Sequence, residues 1–435
     1  MHLNRLDEAP RMIPGPVHAP RTLSIVHPMD PWDQRPGGFD TCLDGIIRYA
    51  PERWQIELIG LSTDSRSRPL GRWHWRDFDG RQLRYYAVLA DPDPDLVRPI
   101  PLSLRFAIAA RIRGVSPSGS LLQFHRFESG LSIRARPGQK AVYFLHNHPE
   151  EVNSLHSDVR WRRWGLVFRA LLRWRLRGAT GVIAVDPRTP DWAAREIPHL
   201  NGRIGWLAQW ADPSEFHPGS LGQRISAGNA LRERLGVTPG TRLIGFVGRL
   251  ERQKDPTLLL RAFAAIAREH PDTALVLVGK GRLHGRLVQL SKREGLSARV
   301  HFVGAVIRSQ LAELYRGFDV VACSSGFEAG PRVVFESLAC GTPVVSFDVG
   351  QVPLVLRDHA APGVGEIVQQ RTATAFAEAL LRALAQPPTD ERVHRCVGAV
   401  AGFTPRSVVS GLFELYESWA RDTVVSGGQG ALARR

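Results

Sequence analysis

Glu328 and Glu336 stand eight positions apart, with seven residues between them. Eight positions is slightly over two helical turns, so the second carboxylate falls inside a helix whose N-terminus lies near the first. Residues 318–323 read as a short apolar strand, Ser324-Ser325-Gly326-Phe327 as a turn, and Pro331 as part of a first helical turn, where a missing N–H costs nothing. Val333, Val334, Ser337 and Leu338 supply a buried face, and Gly341-Thr342-Pro343 stops the helix before a strand at 344–347. Two acids and a helix N-terminus facing one cleft can hold a polyhydroxylated ligand that carries phosphates. The carboxylates accept from hydroxyls, and the free backbone N–H groups receive the anion. Taken alone, the pair is better read as solvated or as stabilising the helix dipole, and only the flanking residues change that reading.

Upstream, residues 243–247 read as a buried strand, followed by Gly248-Arg249, then Lys254-Asp255, then a helix from Pro256. A glycine lets the backbone approach a ligand closely. Arg249 and Lys254, five residues apart, can clamp a diphosphate and neutralise charge as it departs. The chain has only four lysines, so arginine is its default surface cation and Lys254 stands out.

Gly248-Arg249…Lys254-Asp255, Val276-Leu277-Val278-Gly279-Lys280-Gly281, Val303-Gly304 and the stretch from Glu328 to Pro343 occur in that order. Together they resemble the retaining GT-B glycosyltransferases of family 4, the glycosyl transferases group 1 domain, most specifically over about 213–353. The resemblance implies an α/β protein of two Rossmann-like domains facing each other across a cleft, with a C-terminal helix crossing back to the first domain. It also implies transfer of a hexose, with retention, from a nucleoside diphosphate sugar to a hydroxyl acceptor, a glycan or lipid-linked sugar of cell-surface polysaccharide synthesis. Carried over by position, Glu328 would hold donor-sugar hydroxyls, Glu336 the ribose, and Arg249 and Lys254 the diphosphate. Gly248, Gly279, Gly281 and Val303 would offer backbone to the nucleotide, and Gly330, Pro331, Arg332 and Val333 would shape the loop facing sugar and phosphates. No metal or cofactor is implied. There are departures: Ala329-Gly330 stands where a Gly-aromatic pair is common, Arg332 where the residue is usually apolar, and Leu354 where Glu usually follows Gly350-Gln351-Val352-Pro353.

The first half opens as strand, glycine turn, helix, strand: residues 22–26, Gly37-Gly38, a helix from a capping Asp40 to Tyr49, and 56–61. Gly37 and Gly38 occupy the place of the family's first-loop glycine pair, beside donor phosphates and acceptor. Further strands at 121–124, 141–145 and 181–185 end in His125, His146 and Asp186, which line the ligand edge of a parallel sheet. His146-Asn147-His148 shows no further metal ligand nearby. His146 reads as an acceptor-binding or base-assisting residue, or as a plain strand-end histidine. Asp91, Asp93 and Asp95 alternate with prolines and read as a solvated loop rather than a cation site.

Residues 160–177 place Trp161, Trp164, Val167, Phe168, Leu171, Leu172, Trp174 and Leu176 on one side of a helix and Arg162, Arg163, Arg169, Arg173 and Arg177 on the other, with Leu166 and Arg175 breaking the pattern. Such a helix either packs on the sheet or lies in an anionic membrane interface.

The boundaries expected are a flexible arm at 1–21, an acceptor-binding domain at 22–212, a nucleotide-sugar domain at 213–404, a crossover helix at 405–422 and a disordered tail at 423–435. The 435 residues, 43% hydrophobic and 23% charged, suit a soluble globular protein. Four scattered cysteines fit a reducing cytosol, with attachment to the inner face of the membrane as an option. A net charge of +15 favours polyanions, although arginine-rich composition alone produces it. No nucleic-acid recognition module is visible, so nucleic acid is not an expected partner. Two alternatives stay open: a nucleotide-sugar epimerase on the same fold, and a non-catalytic GT-B-fold binding protein.

Overall fold

The computed structural model describes residues 21–33, 38–94, 96, 98–149, 165–357 and 363–421. The expectations placed on residues 1–20, Gly37, Asp95, 160–164 and 422–435 fall outside the described residues.

The apolar runs form two sheets. The first contains β1 (Arg21–Val26), β2 (Trp54–Ser62), β3 (Trp73–Phe78), β4 (Arg81–Ala90), β5 (Leu121–Phe124), β6 (Lys140–Leu145), β7 (Gly181–Ala184) and β8 (Ile204–Trp206), in the order β3-β4-β2-β1-β5-β6-β7-β8. The second contains β9 (Arg242–Val247), β10 (Thr273–Val278), β11 (Val300–Gly304), β12 (Val320–Cys323), β13 (Val344–Phe347) and β14 (Gly365–Val368), in the order β11-β10-β9-β12-β13-β14. Every pairing is parallel except β3 with β4. Parallel strands are covered on both faces, which is why they read as unbroken apolar runs: all six residues of β10 are buried. The exception is a hairpin that turns through Asp79-Gly80, both left-handed (φ 52° and 81°), the conformation a two-residue hairpin loop requires.

Each sheet reverses its strand order once. In the first, the chain moves outward from β1 and returns with β5 at its side; in the second, it moves outward from β9 and returns with β12. Ligands of open sheets bind beyond the carboxyl ends of the strands at such reversals. The residues emerging there are His27 and His125 on the first sheet, and Gly248 and Ser324 on the second.

The helix Pro405–Arg421 returns to the first sheet. Its Val409, Leu412, Phe413, Tyr416 and Trp419 are buried with Leu23, Ile25 and Trp54. The Lys140 ammonium caps its last turn by donating to the carbonyls of Trp419 (2.6 Å) and Ala420 (3.0 Å). The stretch Asp390–Arg421 has the length and apolarity of a membrane span. It is two helices, however, and its apolar side chains are spent in two cores.

Three local expectations change. Asp40 lies within the first turn of the helix Gly38–Tyr49 rather than capping it. Asp91 is not solvated: it is fully buried and paired with Arg98 (2.8 Å) and Arg105 (2.7 Å). The helix Gly165–Leu176 splits its apolar face, burying Leu172 and Leu176 while leaving Leu166, Val167 and Trp174 exposed.

Candidate active site

The wall contributed by the second sheet is built by two loops that grip each other. After β9 the chain passes Gly248 and Arg249 and forms a 3₁₀ turn, Arg252–Lys254. Asp255 then turns left-handed (φ 44°) and caps the helix Pro256–Glu269 by accepting from the Leu258 N–H. After β12 come Ser324 to Pro331 and the helix Arg332–Ala339. The Gly326 N–H donates to the Gln253 carbonyl (2.8 Å), the Gln253 amide donates to the Phe327 carbonyl (3.2 Å), and Ser324 Oγ donates to the Lys254 carbonyl (2.9 Å). Arg371 clamps both loops through the Ser325 carbonyl (2.9 Å) and the Asp255 carboxylate (2.8 Å).

This framework sets the Lys254 ammonium directly on the Glu328 carboxylate, which also accepts from Ser325 Oγ (2.7 Å). Arg249 is exposed and does not meet the pair among the described contacts; its guanidinium donates to the Gln253 side-chain oxygen (3.5 Å). Gly279 needs its positive φ (138°) and its missing side chain, since a Cβ would strike the Gly248 carbonyl. Gly281 is packed as tightly on Leu250, while Val303 and Val333 turn their side chains into the second core.

Glu336 is near the same helix but is served by different partners. It accepts from the Tyr315 hydroxyl (2.9 Å) and lies between Arg308 (3.7 Å) and Arg332 (3.6 Å). Burial, reinforced by the Glu336 carboxylate, pushes Tyr315 well above its ordinary pKa, so it remains a donor. Arg308 also pairs with Glu215. Arg332 stacks on Trp210 (5.3 Å to the ring centre), and burial draws its guanidinium below its ordinary pKa. The N-terminus of the helix Arg332–Ala339 has no side-chain cap; the Val334 N–H turns back to the Pro331 carbonyl (3.0 Å).

The wall contributed by the first sheet is aromatic and imidazole-rich. His146 follows β6, packs against Phe39 (4.2 Å between ring centres), and meets His125 at 2.8 Å (His125 Nδ1 to His146 Nε2). His27 packs edge-on to His125 (5.8 Å) and pairs with Asp40 (3.6 Å). Burial, then the neighbouring His27 and Arg126, lowers the His146 pKa to about 3. Burial and His146 push His125 well below its ordinary value as well. Gly38 opens the helix that carries Asp40. Among the described residues, no group of three or more His, Cys, Asp or Glu is arranged to hold a metal ion.

Sequence reasoning missed the joint between the walls. The Gln351 side chain is fully buried, accepts from the Gln209 N–H (2.7 Å), and donates to the carbonyls of Val185 (2.7 Å) and Leu207 (3.0 Å). Gly350, left-handed (φ 51°), lies under the carbonyls of Glu328 and Ala329, where any Cβ would collide. Ala329 packs in the core of the first sheet, and Gly330 lies against Gln209. The loop that carries Glu328 is therefore seated on both halves of the molecule. The one signal in the sequence was Gly350-Gln351-Val352-Pro353, which entered there only as part of the family resemblance.

Residues 229–397 match the family described as glycosyl transferases group 1. The chain is 34% identical over 315 residues to a D-inositol 3-phosphate glycosyltransferase of Mycolicibacterium gilvum (strain PYR-GCK), covering 66% of this chain and 69% of that protein. Its alignment to another protein of the same description spans half of that relative's length, 50%. In fold it is similar to sucrose-phosphate synthase from Thermosynechococcus elongatus, with a TM-score of 0.72 and 21% identity over 92% of this chain and 98% of that one. It is also similar to Anabaena Alr3699/HepE in complex with UDP and glucose, with a TM-score of 0.64 and 19% identity over 92% of this chain and 100% of that one. Two facing parallel sheets with these neighbours make a GT-B fold, and the chain belongs to the glycosyl transferases group 1 family.

Proposed function

We propose that this protein is a glycosyltransferase that moves a hexose from a nucleoside diphosphate sugar to a hydroxyl acceptor, with retention at the anomeric carbon. The observation that carries this reading is the Lys254–Glu328 pair at the strand-order reversal of the second sheet, beside an uncapped helix N-terminus. Glu328 accepts from donor-sugar hydroxyls. Lys254 and Arg249 offset the charge that grows on the diphosphate as the anomeric C–O bond breaks. Glu336 takes the ribose hydroxyls, and backbone at Gly248, Gly279, Gly281 and Val303 receives the nucleotide. The acceptor hydroxyl attacks the same face, and its proton passes to the departing phosphate oxygen, so no separate protein nucleophile is required. His146 faces the acceptor side. Incubation with a panel of UDP-, GDP- and ADP-sugars, with products read by mass spectrometry, tests the reading. Conversion of the donor to its epimer without an acceptor would replace it with an epimerase, and absence of nucleotide-sugar binding across the panel would leave a non-catalytic GT-B protein.

The acceptor is a glycan or a lipid-linked sugar, and we place the first sheet's outer helices on the anionic inner face of a membrane. Leu104, Ile108 and Ile112 (43%, 47% and 79% exposed) form a stripe at four-residue spacing on the helix Leu102–Ile112. Leu166, Val167 and Trp174 are exposed on the helix Gly165–Leu176. Both helices pack on the same core, where Phe106 of the first and Leu172 of the second are buried and Phe168 of the second meets Phe127 (5.1 Å). Between positions 96 and 149 the single acidic residue is Glu128, which is buried, and positions 165–185 contain none, so cations outnumber acids along both helices even with Arg98 and Arg105 paired to Asp91 and Arg173 paired to Glu196. Exposed aliphatics and Trp among arginines suit an anionic interface. Flotation with phosphatidylglycerol vesicles but not with phosphatidylcholine vesicles is the expected result, and equal behaviour with both refutes the placement.

A further inference from the structure

His146 does not stand alone: behind it runs a buried chain of polar groups that ends on the C-terminal helix. The Tyr416 hydroxyl donates to Gln123 Oε1 (2.7 Å), Gln123 Nε2 meets His125 Nε2 (2.5 Å), and His125 Nδ1 meets His146 Nε2 (2.8 Å). Gln123 is fully buried, and Tyr416 and His125 are 1% and 3% exposed. β5 carries Gln123 and ends just before His125, while Tyr416 arrives from the far end of the sequence on the helix Pro405–Arg421. Three hydrogen bonds therefore join the crossover helix to the cleft.

The donor and acceptor inventory gives this chain a direction. An amide NH₂ group only donates, so His125 Nε2 accepts and carries no proton. Neutral His125 then holds its proton on Nδ1 and donates it to His146 Nε2. His146 Nε2 accepts, so the proton of neutral His146 sits on Nδ1, on the side of the ring away from His125. The amide oxygen is the one acceptor that the Tyr416 proton has among the described contacts, and an amide turned over would meet the phenol oxygen with its NH₂ and leave that proton without a partner. Turning the amide over would reverse every bond and leave His146 with a bare Nδ1. The charged groups around the pair, His27 at the end of β1, Asp40 on the helix Gly38–Tyr49 and Arg126 after β5, include no carboxylate pairing with His125 or His146 among the described contacts.

We infer that Tyr416, Gln123 and His125 are positioning residues that fix His146 in the Nδ1–H tautomer, so that it meets the substrate as a neutral hydrogen-bond donor rather than as a base. The inference rests on the reading of His146 as facing the acceptor side, and its test does not. The full chain, labelled with ¹⁵N-histidine and free of ligand, reports the tautomer through its imidazole nitrogen shifts, and the His146→Gln variant identifies the His146 signals. The wild type is expected to show Nδ1–H at His146. Tyr416→Phe, which keeps the ring, is expected to move the tautomer ratio about tenfold towards Nε2–H, the size of one lost hydrogen bond. Gln123→Leu moves it further. Nε2–H at His146 in the wild type, or a ratio unmoved by Tyr416→Phe in a folded protein, overturns the inference while leaving the transferase reading intact. Loss of that reading in the donor panel, with the tautomer as expected, leaves the chain of bonds standing without its purpose.

Discussion

The two walls of the cleft handle polarity in opposite ways. The wall from the second sheet holds its polar groups as ion pairs, Lys254 on Glu328 and Arg308 and Arg332 around Glu336. The wall from the first sheet holds His125 and His146 in series, kept uncharged by burial, with the charges of Asp40 and Arg126 beside them. On the proposed function, a diphosphate and its sugar bring charge and hydroxyls, which the charged wall would answer. An acceptor hydroxyl brings neither a full charge nor a strong acid, and a neutral wall can orient it without trapping the anion on the wrong side. The division of labour follows from burial: a buried charge is tolerable only with a partner at hand, and a buried imidazole escapes the cost by staying neutral.

The sharpest way to break the comparison is to remove the cation from the charged wall. Lys254→Ala should slow turnover by roughly 10²- to 10³-fold, the loss seen when one preorganised stabiliser of developing charge is deleted. The substitution also strips Glu328 of its ionic partner, so donor affinity should weaken. Steady-state kinetics with the accepted nucleotide sugar checks this, and turnover within a few-fold of wild type would show that the charged wall does not serve the leaving group.

Next in size is the joint. Gln351→Ala leaves the Gln209 N–H and the carbonyls of Val185 and Leu207 buried without their partner. At about 1 kcal/mol or more for each abandoned group, a loss of about 3 kcal/mol in unfolding free energy is expected from denaturant titration. A loss under about 1 kcal/mol would mean that the walls are held together by apolar packing alone. Glu336→Ala follows. Losing a charged acceptor for the ribose should weaken nucleoside diphosphate binding about 10- to 100-fold by calorimetry. If affinity holds while stability falls, Glu336 serves Arg308 and Arg332 rather than the ligand.

The same contrast explains what could be read from the chain. The order of motifs advertises itself: Lys254, Glu328 and Glu336 stood out through the resemblance carried by the stretches around them, not through their spacing alone, and the strands around them through unbroken apolar runs. The partners of Glu336 were not. Tyr315 and Arg308 lie on a different helix, and a lone tyrosine or arginine on a helix has no local signature. His146 was visible at a strand end, but Gln123 looked like an ordinary strand residue, because its meaning depends on Tyr416 almost three hundred positions away. Asp91 was misread because a proline-flanked acid looks solvated, while Arg98 and Arg105 close over it only in three dimensions. Local periodicity specifies elements, whereas buried polar pairing is decided by which elements meet.

The smallest effect probes the neutral wall through pH. The folded pKa of His146 is lowered to about 3 from an ordinary value of 6.5, and His125 moves in the same direction. Above pH 6.5 both states of the protein leave these imidazoles neutral, so they add no pH dependence. As pH falls below 6.5 the unfolded chain takes up protons that the folded chain refuses, and stability must drop, continuing to do so towards pH 3. Between pH 7.5 and 5.0 the share owed to His146 is on the order of 1 kcal/mol, reduced by its partial exposure. Denaturant midpoints at the two pH values should therefore converge in His146→Gln relative to wild type. Equal pH slopes in both proteins would mean that His146 takes its proton in the folded state, and the neutral wall would then be as charged as the one it faces.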